Sequence, residues 1–345
     1  MATAQVTVRG AGIFGLSVAY ACALRGAQVT VVDPNGVGAG SSGGLVGALA
    51  PHVPEQWNDK KAFQLDSLLM QERYWSGVEE RSGMPTGYAR TGRLQPLADD
   101  AAVALATDRA AGAETLWRGK AAWRVIDADL AAWTVSSPTG KLVHDTLSGL
   151  VHPRMATVSL AAAVQSLEGQ IVTEAPDQGL VVWSTGWQGL DEMTAQHRRQ
   201  VGNGVKGQAA LLDYDASGLP QLFANGVHMI PHLDGTVAVG STTEREFDDP
   251  TATDTQLDEV IDKARAAVPA LANAPVTQRW AGVRLRSRTR APMLGHHPFR
   301  AGEFVANGGF KIGFGMAPKM GEVMADLILN GDDTIPDGFK AEANL

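Results

Sequence analysis

Cysteine is nearly absent: Cys22 stands alone in 345 residues. An internal disulfide is therefore excluded, and a reducing compartment is expected. Cys22 itself falls inside a helical pattern and reads as a small core residue. No apolar run approaches the ~20 residues that span a bilayer. No signal peptide is read, because the first strand begins almost at once; a cytoplasmic protein that does not enter the membrane is expected. Positive charge is also short, with 29 Lys and Arg against 37 Asp and Glu for a net charge of −8. That balance opposes a general polyanion binder, so nucleic acid is not an expected partner, although a local basic patch is still allowed. With 44% hydrophobic and 19% charged residues, the chain falls in the globular class rather than the disordered one. It is too long for a typical single core, so two domains, consecutive or interleaved, are expected.

Glycine, by contrast, is abundant, and its placement carries the first motif. Val6 and Val8 begin a β-branched run that stops at Gly10-Ala11-Gly12-Ile13-Phe14-Gly15. Leu16, Ala19, Tyr20, Ala23 and Leu24 then follow at helical spacing, and Gly26 closes the helix. Val29–Val32 forms a second buried strand ending at Asp33. In a dinucleotide site, Gly10 permits the tight turn, Gly12 lets the backbone approach a pyrophosphate, and Gly15 lets helix and strand pack closely. The helix N-terminus offers free N–H groups and partial positive charge to the phosphates. Asp33 is placed to accept from ribose hydroxyls. A glycine turn of purely structural use would leave Asp33 unexplained. Arg9 is an oddity at the end of the first strand, since a charge there needs a phosphate or a buried carboxylate as partner.

Gly36 to His52 is glycine-dense but also apolar at Leu45, Val46, Leu49 and Ala50. This suits a backbone lying against a flat ligand, with Ser41 and Ser42 as hydroxyl donors. Lys61 to Glu80 forms an amphipathic helix. Thr86 to Leu97 reads as a strand pair, Ala101 to Gly119 as an alanine-rich helix, and Asp127 to Leu130 as an acidic turn before a small helix. His228–His232 and Gly235–Thr242 form a hairpin, and Asp254–Val268 a further helix. Arg284, Arg286, Arg288 and Arg290 recur every second residue, so on a strand they share one face; four such cations repel unless they meet anions or water. From Phe304 to Leu329, strand, glycine turn and helix occur again, with Gly308, Gly309, Gly313 and Gly315 before Met320.

The fingerprint together with the Gly36–His52 loop resembles the FAD-dependent amine oxidase family that includes glycine oxidase and D-amino-acid oxidase. The resemblance runs from Val6 to about Leu329 and is most specific at both flavin-binding ends. It implies an α/β fold: a Rossmann-like FAD-binding domain (1–82, 145–202 and 285–345) interleaved with an α+β substrate domain (83–144 and 203–284) on a mostly antiparallel sheet. Cofactor contacts are implied for Gly10, Gly12, Ile13, Phe14, Gly15 and Asp33 at the first turn. In the loop beside the isoalloxazine they are implied for Ser41, Ser42, Gly43, Gly44, Gly47 and Leu49. Gly186 belongs to the turn that closes over the dinucleotide, and Gly309, Lys311, Ile312 and Gly313 to the C-terminal turn. Only EAPDQG links Thr173 to Leu180, where relatives usually carry a longer β-meander with a backbone contact to adenine. Gly44 stands where some relatives attach flavin through histidine, and the covalent cysteine of sarcosine oxidases has no counterpart, so non-covalent FAD is expected.

In the same resemblance, Ala-Gly-apolar-Arg makes Arg284 the grip on a substrate carboxylate, a role suited to a planar fork of charge-assisted donors. His228 and His232 match the places of a Tyr-x-x-Pro-Arg pattern whose tyrosine often lines the substrate pocket. His228 is the stronger candidate, with a charge that responds to modest pH change. Lys311 is a second basic residue near the pocket. The implied reaction is oxidation of the C–N bond of a small amino acid or secondary amine, with molecular oxygen as acceptor. Two other readings stay open: a larger anionic substrate such as a modified tRNA uridine, engaged by the arginine ladder, and a flavin-binding subunit without turnover of its own.

Overall fold

The computed structural model describes residues 3–128 and 133–345. Its strands form a six-stranded sheet, an eight-stranded sheet and a two-stranded ribbon. The valine-rich strand Gln5–Arg9 sits inside the six-stranded sheet, between the parallel strands Gln28–Val32 and Leu180–Trp183. Gln170–Val172 and Phe304–Asn307 extend it on the two sides in parallel, and Met293–His296 adds an antiparallel edge. Val6, Val8, Val29, Val31 and Val182 are all buried, as expected where helices cover both faces of a parallel sheet. The helices Ile13–Leu24, Asp59–Ser82, Pro153–Ser166 and Gly313–Asn330 pack around it. Tyr74 ties two of them by donating to Ser17 Oγ at 2.9 Å.

The eight-stranded sheet is led by two twelve-residue strands, Gly202–Asp213 and Val276–Ser287, paired antiparallel with Val205 opposite Arg284. Its single parallel pair joins Gln221–Ala224 to Arg93–Pro96, so the sheet is mostly antiparallel. Helix Thr255–Ala267 buries Leu257, Val260, Ile261 and Ala264 in a second core beneath this sheet. All six strands of the first sheet lie within 1–82, 145–202 and 285–345, whereas Gly202–Asp213 and Val276–Ser287 each run across one of those limits.

Several elements differ from the sequence reading. Thr86–Leu97 contributes one strand, Arg93–Pro96, and an isolated bridge at Ala89 rather than a strand pair. Gly87 and Gly92 take positive φ (70° and 79°) and interrupt extension on either side. The alanine-rich helix spans Asp100–Leu116, capped by Asp99, and stops where Arg118 and Gly119 turn left-handed. The expected acidic turn and small helix fall largely outside the described residues. Arg9 finds its partners in the short link after Val172: Nε donates to Asp177 at 2.7 Å and Nη2 to the Ala175 carbonyl at 3.0 Å.

Candidate active site

The carboxyl ends of Gln5–Arg9, Gln28–Val32, Leu180–Trp183 and Phe304–Asn307 open onto a cleft of about 1080 Å³ whose far wall is the eight-stranded sheet. Ligands of open α/β sheets bind in this position, outside the strand ends. The volume lies just above the roughly 300–1,000 Å³ usual for small-molecule sites.

At the sheet edge, backbone packs on backbone. Gly10 has φ +111°, and a Cβ there would stand 2.3 Å from the Ser184 carbonyl oxygen; one on Gly15 would stand 2.0 Å from that of Gly10. Neither position accepts a side chain. Helix Ile13–Leu24 takes Gly12 as N-cap with no capping side chain of that residue, and Ile13 N–H donates to Ser42 Oγ at 2.9 Å. The glycine loop is thereby drawn over the helix start. Asp33 accepts from the N–H of Ala11 (2.8 Å) through Oδ2 and of Asn35 (3.0 Å) through Oδ1. Each oxygen keeps a further lone pair, and the residue lines the cleft.

Thirteen of the expected cofactor residues line this cleft, among them Ser41, Gly44, Gly47, Gly186, Gly309 and Gly313. Gly15, Gly43, Leu49 and Ile312 do not. Gly15 lies under the Gly10 turn, and the Gly43 carbonyl is taken by Arg154 Nε at 2.8 Å. Leu49 is sealed in the core, and Ile312 serves as N-cap of helix Gly313–Asn330. These four shape the site without facing it.

Arg284 and His228 on the far wall come together with Lys311, which reaches them from the turn before helix Gly313–Asn330. Arg284 Nη1 donates to Ser241 Oγ at 2.7 Å; Nη2 donates to the carbonyls of Lys206 (3.1 Å) and Thr242 (2.6 Å). Its Nε is buried with no partner among the described residues. Burial pulls its pKa down to about 10, against the opposing pull of Glu244, so the side chain is cationic at neutral pH. Lys311 Nζ donates to Thr243 Oγ1 at 3.1 Å, and burial, then Arg284, lowers its pKa. Both cations lie about 6 Å from the Phe310 ring, at 5.9 and 5.7 Å from its centroid.

His228 is no switch at physiological pH. Burial, reinforced by Arg93 and Lys311, pushes its pKa down to about 3, and Nδ1 lacks a partner among the described residues. It is a neutral imidazole packed on Phe223, 4.5 Å between ring centroids. His232 does not line the cleft at all. It is fully buried beside His152, with its pKa held down to about 4.

The arginine ladder also dissolves. The strand ends at Ser287, whose hydroxyl turns onto the Ala291 carbonyl. Arg286 donates to Asn203, Arg288 reaches the carbonyl of Leu345, and Arg290 sits in a left-handed turn. Only Arg284 of the four faces the cleft, which removes the support for a polyanion groove. Sequence reasoning missed Ser241, Trp280 and Phe310 on the same wall. Trp280 shares the Arg284 face at a spacing of four on a strand, a period-two signal that was available. Ser241 had none.

An FAD-sized ligand fits what is present. Ser184 Oγ, Arg284 Nε and His228 Nδ1 are buried polar atoms without partners among the described residues, and all three residues line the same cleft. Gly10 and Gly15, where no Cβ fits, and the helix start at Gly12 without a capping side chain of its own form the cradle a pyrophosphate needs. Cys22 is buried in its helix, with the thiol pKa pushed up to about 12 by burial, and Gly44 offers no side chain, in keeping with non-covalent binding.

A glycine turn at the carboxyl edge of a parallel sheet, closed by a cationic wall on a second sheet, defines a dinucleotide-dependent enzyme of two interleaved parts. Residues 5–327 match the family model for FAD dependent oxidoreductases; the chain belongs to that family and is an FAD-dependent oxidoreductase. It is 27% identical over 378 residues to a glycine oxidase of Pseudomonas putida, covering 99% of both chains. Among solved structures, glycine oxidase from Geobacillus kaustophilus superposes with a TM-score of 0.80 at 20% identity, covering 98% of this chain and 99% of that one. An iminodiacetate oxidase from a Chelativorans species gives 0.85 at 20% identity, covering 97% and 98%. The structural likenesses establish the fold. No described helix is long and apolar enough to cross a membrane.

Proposed function

We propose that this enzyme oxidises the C–N bond of a small amino acid or secondary amine, of the glycine, sarcosine or D-amino-acid type. The observation that carries the reading is the Arg284 guanidinium on the cleft wall, fixed by three protein acceptors that leave its second Nη1–H uncommitted. A carboxylate is the complementary ligand for such a donor. The glycine oxidase relatives support the same substrate class.

Gly10, Gly12 and the start of helix Ile13–Leu24 would hold the FAD pyrophosphate and Asp33 the ribose, with Ser41, Ser42, Gly44 and Gly47 running beside the ring system. The N-terminus of helix Gly313–Asn330 would face its far edge with a partial positive charge. Bound FAD supplies a two-electron acceptor, regenerated by molecular oxygen with release of hydrogen peroxide. The substrate loses a hydride from the α-carbon and a proton from nitrogen. The resulting imine takes up water to give an oxo-acid and ammonia or amine. Arg284 anchors the carboxylate, and Lys311 adds a second positive charge nearby. Together they disfavour an ammonium in the same cavity, so the substrate nitrogen is driven towards its neutral, reactive form. Neutral His228 can accept or donate one hydrogen bond at the amine without adding charge. No side chain need act as base once the amine is neutral.

The test is a panel of glycine, sarcosine, N-alkylglycines and D- and L-amino acids, read by peroxide release and by a dye acceptor. Turnover of one class with peroxide supports the proposal; turnover with dye alone would keep the C–N chemistry and replace oxygen as acceptor. Turnover of none would remove the substrate assignment.

A further inference from the structure

Away from the cleft wall, three metal-ligating side chains meet where the hairpin turn after strand Val227–Pro231 touches the start of helix Pro153–Ser166. His152 Nε2 lies 3.7 Å from Asp234 Oδ2, and the His152 and His232 ring centroids are 4.4 Å apart. One ligand atom from each residue fits within 4.8 Å of the others. Bonds of about 2.0–2.2 Å to a tetrahedral ion set ligand atoms roughly 3.3–3.6 Å apart. The His152–Asp234 pair is already near that spacing. The other separations, within 4.8 Å, close by movement of Asp234, whose side chain is 41% exposed on a turn, and by a small shift of the two buried rings.

We propose that His152 Nε2, His232 Nε2 and the Asp234 carboxylate bind one zinc-like divalent ion, with water as fourth ligand. The proton position on His232 favours it. His232 Nδ1 faces Thr236 Oγ1 at 3.4 Å, and that hydroxyl donates to Asp234 Oδ1 at 2.7 Å. With the hydroxyl proton committed to Asp234, Thr236 accepts from Nδ1–H, which puts the lone pair of His232 on Nε2. That atom is buried with no partner among the described residues, in a residue of 0% exposure. A free lone pair in a dry setting is what a cation would satisfy. On His152, Nδ1 accepts from the Met155 N–H at 3.4 Å as the cap of helix Pro153–Ser166, which leaves the ring proton of the metal-free form on Nε2. Metal at Nε2 moves the ring proton to Nδ1 and gives up that long capping contact, while the ring stays beside the carbonyl of His152 itself. His232 then has its second nitrogen held by an oxygen, the usual support for a metal-bound histidine.

Two imidazole nitrogens and one carboxylate suit zinc, cobalt, nickel or copper rather than the oxygen-seeking magnesium or calcium. The ion would join the hairpin to the helix that Pro153 begins. His232 also lies against the Leu45 backbone, in the glycine loop of the cleft. Its expected effect is therefore to stabilise the fold around that loop.

The experiment is calorimetric titration of zinc chloride into chelator-treated, FAD-loaded enzyme, with the wild type beside Asp234→Asn and His232→Gln. One equivalent is expected to bind the wild type and to raise its melting temperature, and each substitution should weaken binding at least about tenfold. Magnesium chloride should give neither response. Absence of stoichiometric zinc binding would overturn the site, as would equal binding by wild type and Asp234→Asn, which points to other surface histidines. Because Asp234 is on an exposed turn, its variant keeps the test decisive even if His232→Gln fails to fold.

Discussion

Arg284→Lys keeps one positive charge and removes the fork, which isolates what the fork does. The native guanidinium spends three of its five N–H donors on Ser241 Oγ and the Lys206 and Thr242 carbonyls, leaving the second Nη1–H for a substrate. A lysine ammonium has three donors in all, and those three acceptors can absorb every one. The variant therefore loses at least one charge-assisted hydrogen bond to the substrate carboxylate, worth about 1.5–3 kcal/mol. At about 1.4 kcal/mol per factor of ten, KM for amino-acid substrates should rise roughly 10- to 150-fold. Flavin content should stay at the wild-type level, because the partners of Arg284 all belong to the eight-stranded sheet or the segment after Gly240. The assay is steady-state kinetics on flavin-normalised enzyme, with an amine lacking a carboxylate as control. That control should change little, since its binding never used the fork. An unchanged KM for the carboxylate substrate, at full flavin content, would refute the assignment of Arg284.

Three further outcomes follow from the same geometry. A Cβ at position 207 would lie 2.3 Å from Arg284 Nη2, so Gly207→Ala should displace the guanidinium and raise KM by about tenfold or more, with flavin retained; kinetics that match wild type would show that the fork has room to move. Asp33→Ala frees the N–H groups of Ala11 and Asn35 at the turn and should weaken FAD binding by about tenfold, at about 1.4 kcal/mol for a hydrogen-bond acceptor, measured as flavin lost on ultrafiltration. Full retention would show that Asp33 is structural only. His228 and His232 have folded-state pKa values of about 3 and 4 against an ordinary 6.5, so the unfolded chain binds more protons below that ordinary value. The stability linked to keeping these rings neutral is fully present above pH 6.5 and declines as pH falls towards 4 and then 3. Melting temperature should therefore be level for these groups from pH 8 to 6.5 and drop below it, and His228→Asn should lessen the drop; an equal acid slope in the variant would contradict the burial of His228.

What could be read from the sequence was what is written locally. Val6 to Asp33 folds as its pattern demands because the strand, turn and helix are contiguous, and the turn admits no Cβ at Gly10 or Gly15. The hairpin at Leu233–Gly235 and helix Thr255–Ala267 were legible for the same reason. The contacts that make Arg284 a site were not, since Lys206, Ser241 and Thr242 reach it from tens of residues away through sheet pairing. The arginine spacing misled because period two continues past Ser287 in sequence while the strand does not. His228 and His232 look alike in the run HMIPH. Their surroundings separate them: one faces the cleft, and the other is enclosed with His152, a neighbour 80 positions away. Burial of that kind also set their protonation, which the spacing alone could not reveal.

The most direct test of the central claim is the visible spectrum of the purified enzyme before and after anaerobic addition of glycine, sarcosine and a D-amino-acid panel. Oxidised-flavin bands that bleach with a small amino acid or secondary amine, and return when air is admitted, are the predicted result. A protein that shows those bands but keeps them with every such substrate would contradict the assignment of a small-amine oxidase.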